Sequence, residues 1–176
     1  SNEYSLQQLL AEIAIKYAQS GNMQKARHIA ESLTLVTSRN QALAALEKMP
    51  QPANTNLEIK KITQAQKQQL FDNAKLAKDD DTKVRVAVEM AEFGLFEESE
   101  KIRQVITNKA FQSLVLIQIA DIYISINQKD MAQKKLAQSV ELAMSLECNV
   151  APCYEDNEYR GRTLERVDQR PQKPRL

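Results

Sequence analysis

The sequence predicts an all-α fold made of repeated helix pairs, and three observations carry that reading. Composition is the first: of 176 residues, 43% are hydrophobic and only 5% aromatic, with 3 glycines, 5 prolines and no tryptophan. Ala, Leu, Ile, Gln, Lys and Glu dominate, mostly good helix formers, and turn residues are too few for a sandwich of short strands. Spacing is the second. Ile13, Ala14 and Tyr17 precede Gly21, and Ala26, Ile29, Ala30 and Leu33 follow it, at the three- and four-residue intervals that line one face of a helix. Recurrence is the third, since Val86, Ala87, Met90, Gly94, Ser99, Ile102 and Ile106 repeat the pattern, and Ile119, Ala120, Tyr123, Asn127, Ala132 and Leu136 repeat it again. The length suits one domain with a sizeable core.

The first helix is expected over residues 5–19, burying Leu6, Leu9, Leu10, Ile13, Ala14 and Tyr17. Gly21-Asn22 turns the chain, because glycine enters the left-handed conformation without steric cost. A partner helix over 23–36 follows, packed through Ala26, Ile29, Ala30 and Leu33. Thr37-Ser38 is the expected N-cap of a third helix whose Ala42, Leu43 and Leu46 point inward, until Pro50 and Pro52 stop it.

The next repeat is degenerate. Asn56 stands where a turn is due, and a long polar helix is expected over 57–78, with Leu57, Ile59, Ile62, Ala65, Leu70, Phe71, Ala74 and Ala77 as a broken apolar face. Asp79, Asp80 and Asp81 then form a turn and N-cap. A calcium loop starting at Asp79 would need glutamate at its twelfth position, which Met90 occupies. Helices over 83–93, 96–106, 109–126 and 129–147 complete the array. The turn anchors Gly21, Asn56, Gly94 and Asn127 are spaced by 35, 38 and 33 residues, a period that signals a helical-repeat array.

In these residues the chain resembles the tetratricopeptide-repeat (TPR) family. The small residues Ala14, Ala87 and Ala120, the large ones Tyr17, Met90 and Tyr123, and the second-helix residues Ala26, Ser99 and Ala132 fit that family's spacing over residues 6–147. The family's early tryptophan and the proline closing each repeat are absent, so the expectation is a TPR-like α-solenoid of about four antiparallel helix pairs. The resemblance implies a non-catalytic scaffold, adaptor or assembly factor that grips a partner segment in a concave groove. Ala11, Ile15, Ala18, Ile117, Asp121 and Ile124 are the expected groove residues, and they favour an apolar peptide or helix over a charged terminus. A structural repeat region of a larger protein is an alternative.

Other chemistry finds little support in the sequence. A formal net charge of +1, from 24 basic and 23 acidic residues, argues against a dedicated nucleic-acid binder. The richest apolar run, 114–126, is interrupted by Gln118, Asp121 and Ser125 and is too short to span a bilayer. His28, the one histidine, reads as a surface residue without a nucleophile and orienting acid. Glu97, Glu98 and Glu100 read as solvated charges at a helix start. No phosphate loop, cofactor motif or metal-ligand constellation is present, so neither an enzyme nor a cofactor or metal is expected.

Beyond the repeat domain of residues 1–147, residues 148–176 form a basic tail carrying Arg160, Arg162, Arg166, Arg170, Lys173 and Arg175, with Pro171 and Pro174. Composition of this kind suits a disordered solubilising extension. As a functional arm the tail can bind an acidic protein, a membrane surface or nucleic acid, or dock along the solenoid's own surface or on a second copy by meeting acids such as Glu97, Glu98 and Glu100. Cys148 and Cys153 either close a short disulfide loop in an exported protein or stay free in a reducing cytosol. Their position past the last helix points to a periplasm or lumen, with the cytoplasm as the alternative. The start at Ser1-Asn2, without methionine, reads as a processed or trimmed chain.

Overall fold

Three turns set the architecture, and all three close in the same way. In the computed structural model, which describes residues 2–49 and 57–146, Gly21, Gly94 and Asn127 take positive φ values of 91°, 76° and 60°. In each turn the N–H after this residue donates to a carbonyl five residues back: Asn22 to Tyr17 at 2.9 Å, Leu95 to Met90 at 2.9 Å and Gln128 to Tyr123 at 2.8 Å. The positive-φ residue itself donates three residues back, to Ala18, Ala91 and Ile124. This pair of bonds caps the last free carbonyls of a helix and reverses the chain.

The described residues form eight α-helices and no strand. They are α1 (Asn2–Gln19), α2 (Met23–Ser32), α3 (Val36–Lys48), α4 (Gln64–Leu76), α5 (Asp80–Glu92), α6 (Phe96–Gln104), α7 (Lys109–Ser125) and α8 (Lys129–Ser145). Side-chain caps fix several starts, with Asn22, Asp79 and Asn108 accepting backbone N–H groups of the first turns of α2, α5 and α7. Within each hairpin small residues meet. Ala14, Ala26, Ala87, Ser99, Ala120 and Ala132 have no exposed surface, and the Ser99 hydroxyl donates to the Ala87 carbonyl at 2.6 Å. Ser113 of α7 and Ser139 of α8 each donate to the other's carbonyl at 3.1 Å, which requires closely approaching backbones.

The expected fourth pair does not form. α3 packs on α1 and α2, whereas α4 packs on α5. Nor do the hairpins follow one another in space as in the chain, because α1 packs against both α7 and α8, and α7 against α5. The spatial order is α4, α5–α6, α7–α8, α1–α2, α3. Polar ties fix the junction of first and last hairpins: Lys16 Nζ lies 2.5 Å from Asp121 Oδ1, and Gln133 Nε2 donates to the Ser20 carbonyl at 3.2 Å.

Several element boundaries differ from expectation, among them the start of α5, which takes in Asp80 and Asp81 that were expected in the turn before it. α2 stops at Ser32, and α3 begins at Val36, with Thr37 and Ser38 inside it. The cause is Gln7, a buried α1 residue whose Oε1 accepts the N–H groups of Thr34 and Leu35 at 2.9 and 3.2 Å and holds the α2–α3 turn open. The long helix over 57–78 shrinks to α4, started by a Thr63–Gln66 capping box. Residues 57–63 instead form a strap over the hairpin turns. Leu57 N–H donates to the Ser125 carbonyl at 2.9 Å, and Ile59 lies against Gly94. Asn56 lies outside the described residues.

Candidate functional site

Residues Gln8, Ala11, Glu12 and Ile15 recur at i, i+3, i+4 and i+7, which places them on one stripe of α1. Ser38, Gln41 and Ala42 form a matching stripe on α3. Between the two helices opens a cleft of about 460 Å³ lined by these seven side chains. Ala42 is buried at its floor, Ala11, Ile15 and Ser38 are half-buried, and Gln8, Glu12 and Gln41 are exposed. The small Ala11 and Ala42 leave the space. The cleft offers an apolar floor, two amides, a hydroxyl and one carboxylate.

The expected groove residues separate into three environments. Ala11 and Ile15 line the cleft. Ala18 and Ile117 are 4% and 0% exposed and belong to the core between the hairpins, where no ligand reaches them. Asp121 is engaged by Lys16, and Ile124 is half-buried against the core. Periodicity places an apolar residue on a face but does not say which neighbouring helix covers that face. The cleft is also half polar, in contrast to the apolar groove expected. Gln8 and Glu12 were legible as members of the Ala11–Ile15 stripe, whereas Ser38, Gln41 and Ala42 depend on the docking of α3, for which the sequence carries no local signal. Arg160, Arg162, Arg166, Arg170, Cys148 and Cys153 lie outside the described residues.

Two polar side chains differ from their expected settings. Glu100 is half-buried rather than solvated: Arg103 Nε donates to its Oε1 at 3.0 Å, and Lys135 Nζ of α8 lies 3.9 Å from its Oε2. Burial alone would raise its pKa, but the bond and charge of Arg103 and the charge of Lys135 outweigh burial and lower it. His28 is half-buried beside the inward-facing Ile29, and its Nε2 is shielded from solvent without a hydrogen-bond partner.

Asp80 is the described acid with the most directed bonds. Its carboxylate accepts from the Thr107 hydroxyl at 2.6 Å and from the N–H groups of Thr107 and Asn108 at 3.1 and 2.9 Å, tying the start of α5 to the α6–α7 loop. These bonds, the Thr107 hydroxyl first, hold its pKa below the usual carboxylate range. The groups reaching Asp80 are structural, and none lines the cleft. Among the described residues, no helix is long and apolar enough to cross a membrane, and no three His, Cys, Asp or Glu side chains cluster as a metal site.

Compared with protein-family models, with curated proteins and with solved structures, the chain matches none.

Proposed function

We propose that this chain is a TPR-like protein-binding module whose α1–α3 cleft receives an extended segment of a partner protein. The observation that carries the proposal is the cleft itself, open between the stripes of α1 and α3 with the small residues Ala11 and Ala42 in its lining. Its chemistry selects the occupant. One medium-sized apolar side chain seats on Ala11, Ile15 and Ala42, the partner backbone meets the amides of Gln8 and Gln41, and a lysine or arginine beside the apolar residue meets Glu12. Alternate side chains in pockets with backbone bonds between them is how extended peptides are commonly read. The three identical hairpin turns and the stacking of α5, α7, α1 and α3 support the repeat-module part of the reading.

Selection from a random peptide library tests the proposal. Enriched peptides should pair an apolar with a basic residue, and Ala11→Trp, which fills the cleft, should weaken them about tenfold or more, a loss of about 1.4 kcal/mol. Affinity should fall only modestly between about 50 and 200 mM salt, whereas binding through a basic arm to phosphates would collapse over that range. Peptides that bind Ala11→Trp as well as the parent chain would refute the cleft as the site.

A further inference from the structure

A second surface, independent of the α1–α3 cleft, lies at the opposite end of the stack. A small hydrophobic cluster there meets the main core through Ile102, which packs against both. Its base is Val86 and Met90 of α5, 3% and 1% exposed, flanked by Phe93 and Leu95 from the turn and by Ile102 of α6. Its cover is α4, which buries one residue fully, Leu70, and Phe71 and Ala74 in part. The rest of α4 is glutamine-rich, and Leu76 near its end is 73% exposed. The base is therefore more apolar than the helix that covers it.

The ties holding the cover are few. Ile62 of the strap joins the cluster, Lys60 makes an exposed ion pair with Glu92 at 3.1 Å, and Leu57 N–H bonds to Ser125. Exposed ion pairs contribute little, and an end element with few buried apolar contacts opens locally before the rest of a structure. Opening would bare Val86, Met90, Phe93, Leu95 and Ile102 together. A contiguous apolar patch of this kind marks an interaction site, and the unbranched Met90 adapts to whatever packs on it.

We propose that α4 with its strap is an exchangeable internal ligand, and that the α5–α6 face beneath it docks an amphipathic helix of a partner protein. The internal helix defines the chemistry of that partner: a leucine followed by an aromatic and, three residues further on, a small residue, as in Leu70, Phe71 and Ala74, on an otherwise polar helix. Covalent attachment gives α4 an effective concentration on the order of millimolar. A partner helix must therefore bind this face better than α4 does, and otherwise the face stays closed.

The experiment uses a fluorescent peptide of residues 57–78 and the full chain, read by anisotropy. Leu70→Asp, which weakens the internal helix, should bind the peptide at least about tenfold more tightly than the unaltered chain. Adding Met90→Asp in the receiving face should remove that binding. Equal affinity for the unaltered and Leu70→Asp chains, or no binding to a folded Leu70→Asp chain, overturns the proposal. If Leu70→Asp fails to fold, the unaltered chain decides. Unlabelled peptide raised above the effective concentration of tethered α4, on the order of millimolar, should speed amide exchange in residues 64–76 while leaving α7 and α8 protected, and no change there overturns the proposal as well. Sedimentation should show a monomer. A dimer that depends on Leu70 would assign the face to a second copy and overturn the partner reading.

Discussion

Gly21 and Gly94 occupy equivalent turns but differ in what stands above them, so replacing each with alanine isolates the contribution of the strap. A side chain at either position must adopt positive φ, at 91° and 76°, which costs about 1–2 kcal/mol for a residue with a Cβ. At Gly21 that is the whole expected cost, since a Cβ there meets nothing within 4 Å. At Gly94 the Cβ would lie 3.0 Å from Ile59 Cγ2 and 3.3 Å from its Cδ1. Forcing extra volume into a packed contact costs about 1–3 kcal/mol, and because the strap can yield, the low end of that range applies. Gly94→Ala should thus destabilise by about 2–3 kcal/mol and Gly21→Ala by about 1–2 kcal/mol. Ile59→Ala should remove the excess at Gly94, giving a coupling of about 1 kcal/mol in a double-mutant cycle. Urea denaturation followed by circular dichroism and by tyrosine fluorescence measures the stabilities of the unaltered chain, the three single variants and the double variant, and checks that the transitions coincide. Additivity within about 0.5 kcal/mol would mean that the strap does not rest on this turn.

Three further outcomes follow from the same geometry. Ala120 has no exposed surface, so Ala120→Leu should overpack α7 and cost about 1–3 kcal/mol, and an unchanged melting curve would refute the register of the α7 hairpin. Amides of α4, where Leu70 alone is buried, should exchange before those of α7, and equal protection by mass spectrometry would show a cover far tighter than its contacts imply. Asp80 has a pKa lowered mainly by the Thr107 hydroxyl, so its stabilisation is complete above the ordinary carboxylate pKa and is lost as pH falls through the folded-state value. Asp80→Asn should flatten the acid limb of the stability–pH curve, and an unaltered limb would show that these bonds do not favour the ionised form.

Much of the helical skeleton was legible because its signals are local. Gly21, Gly94 and Asn127 each mark a reversal that is closed by bonds within the same few residues, and the small residues on either side point inward by periodicity alone. What the sequence did not display is which hairpin neighbours which. Ile117 is apolar on a helix whose other face is also apolar, and α1, α5, α6 and α8 all pack on α7, where Ile117 is fully buried. Residues 57–63 read as helix because Leu57, Ile59 and Ile62 keep a helical spacing, yet Thr63 and Gln66 make a capping box that starts the helix later. A threonine followed three residues on by glutamine was visible in the sequence and outweighs a weak periodicity. The polar half of the cleft was hidden for another reason. Gln7 fixes where α3 begins, and a buried glutamine bonded across 27 residues leaves no sequence pattern.

The spatial order of the hairpins bears on both proposed surfaces. Because α1–α2 docks on the far side of α7–α8, the two elements linked by the strap, α3 and α4, become the opposite ends of the stack. In a stack of packed helices each element rests on its neighbours, and the end elements keep an uncovered side. α3 ends the stack as a single helix without a hairpin partner, and the cleft lies between it and α1. α4 ends the other side as a polar helix over a hydrophobic base. The strap crosses the turns between them, touching Ser125 and Gly94 on its way. Lengthening such a connection costs little, since closure entropy grows only with the logarithm of loop length. Inserting flexible residues before Leu57 should therefore leave the stack intact while lowering the effective concentration of α4 over its face, which separates the strap's tethering role from its contacts with the turns.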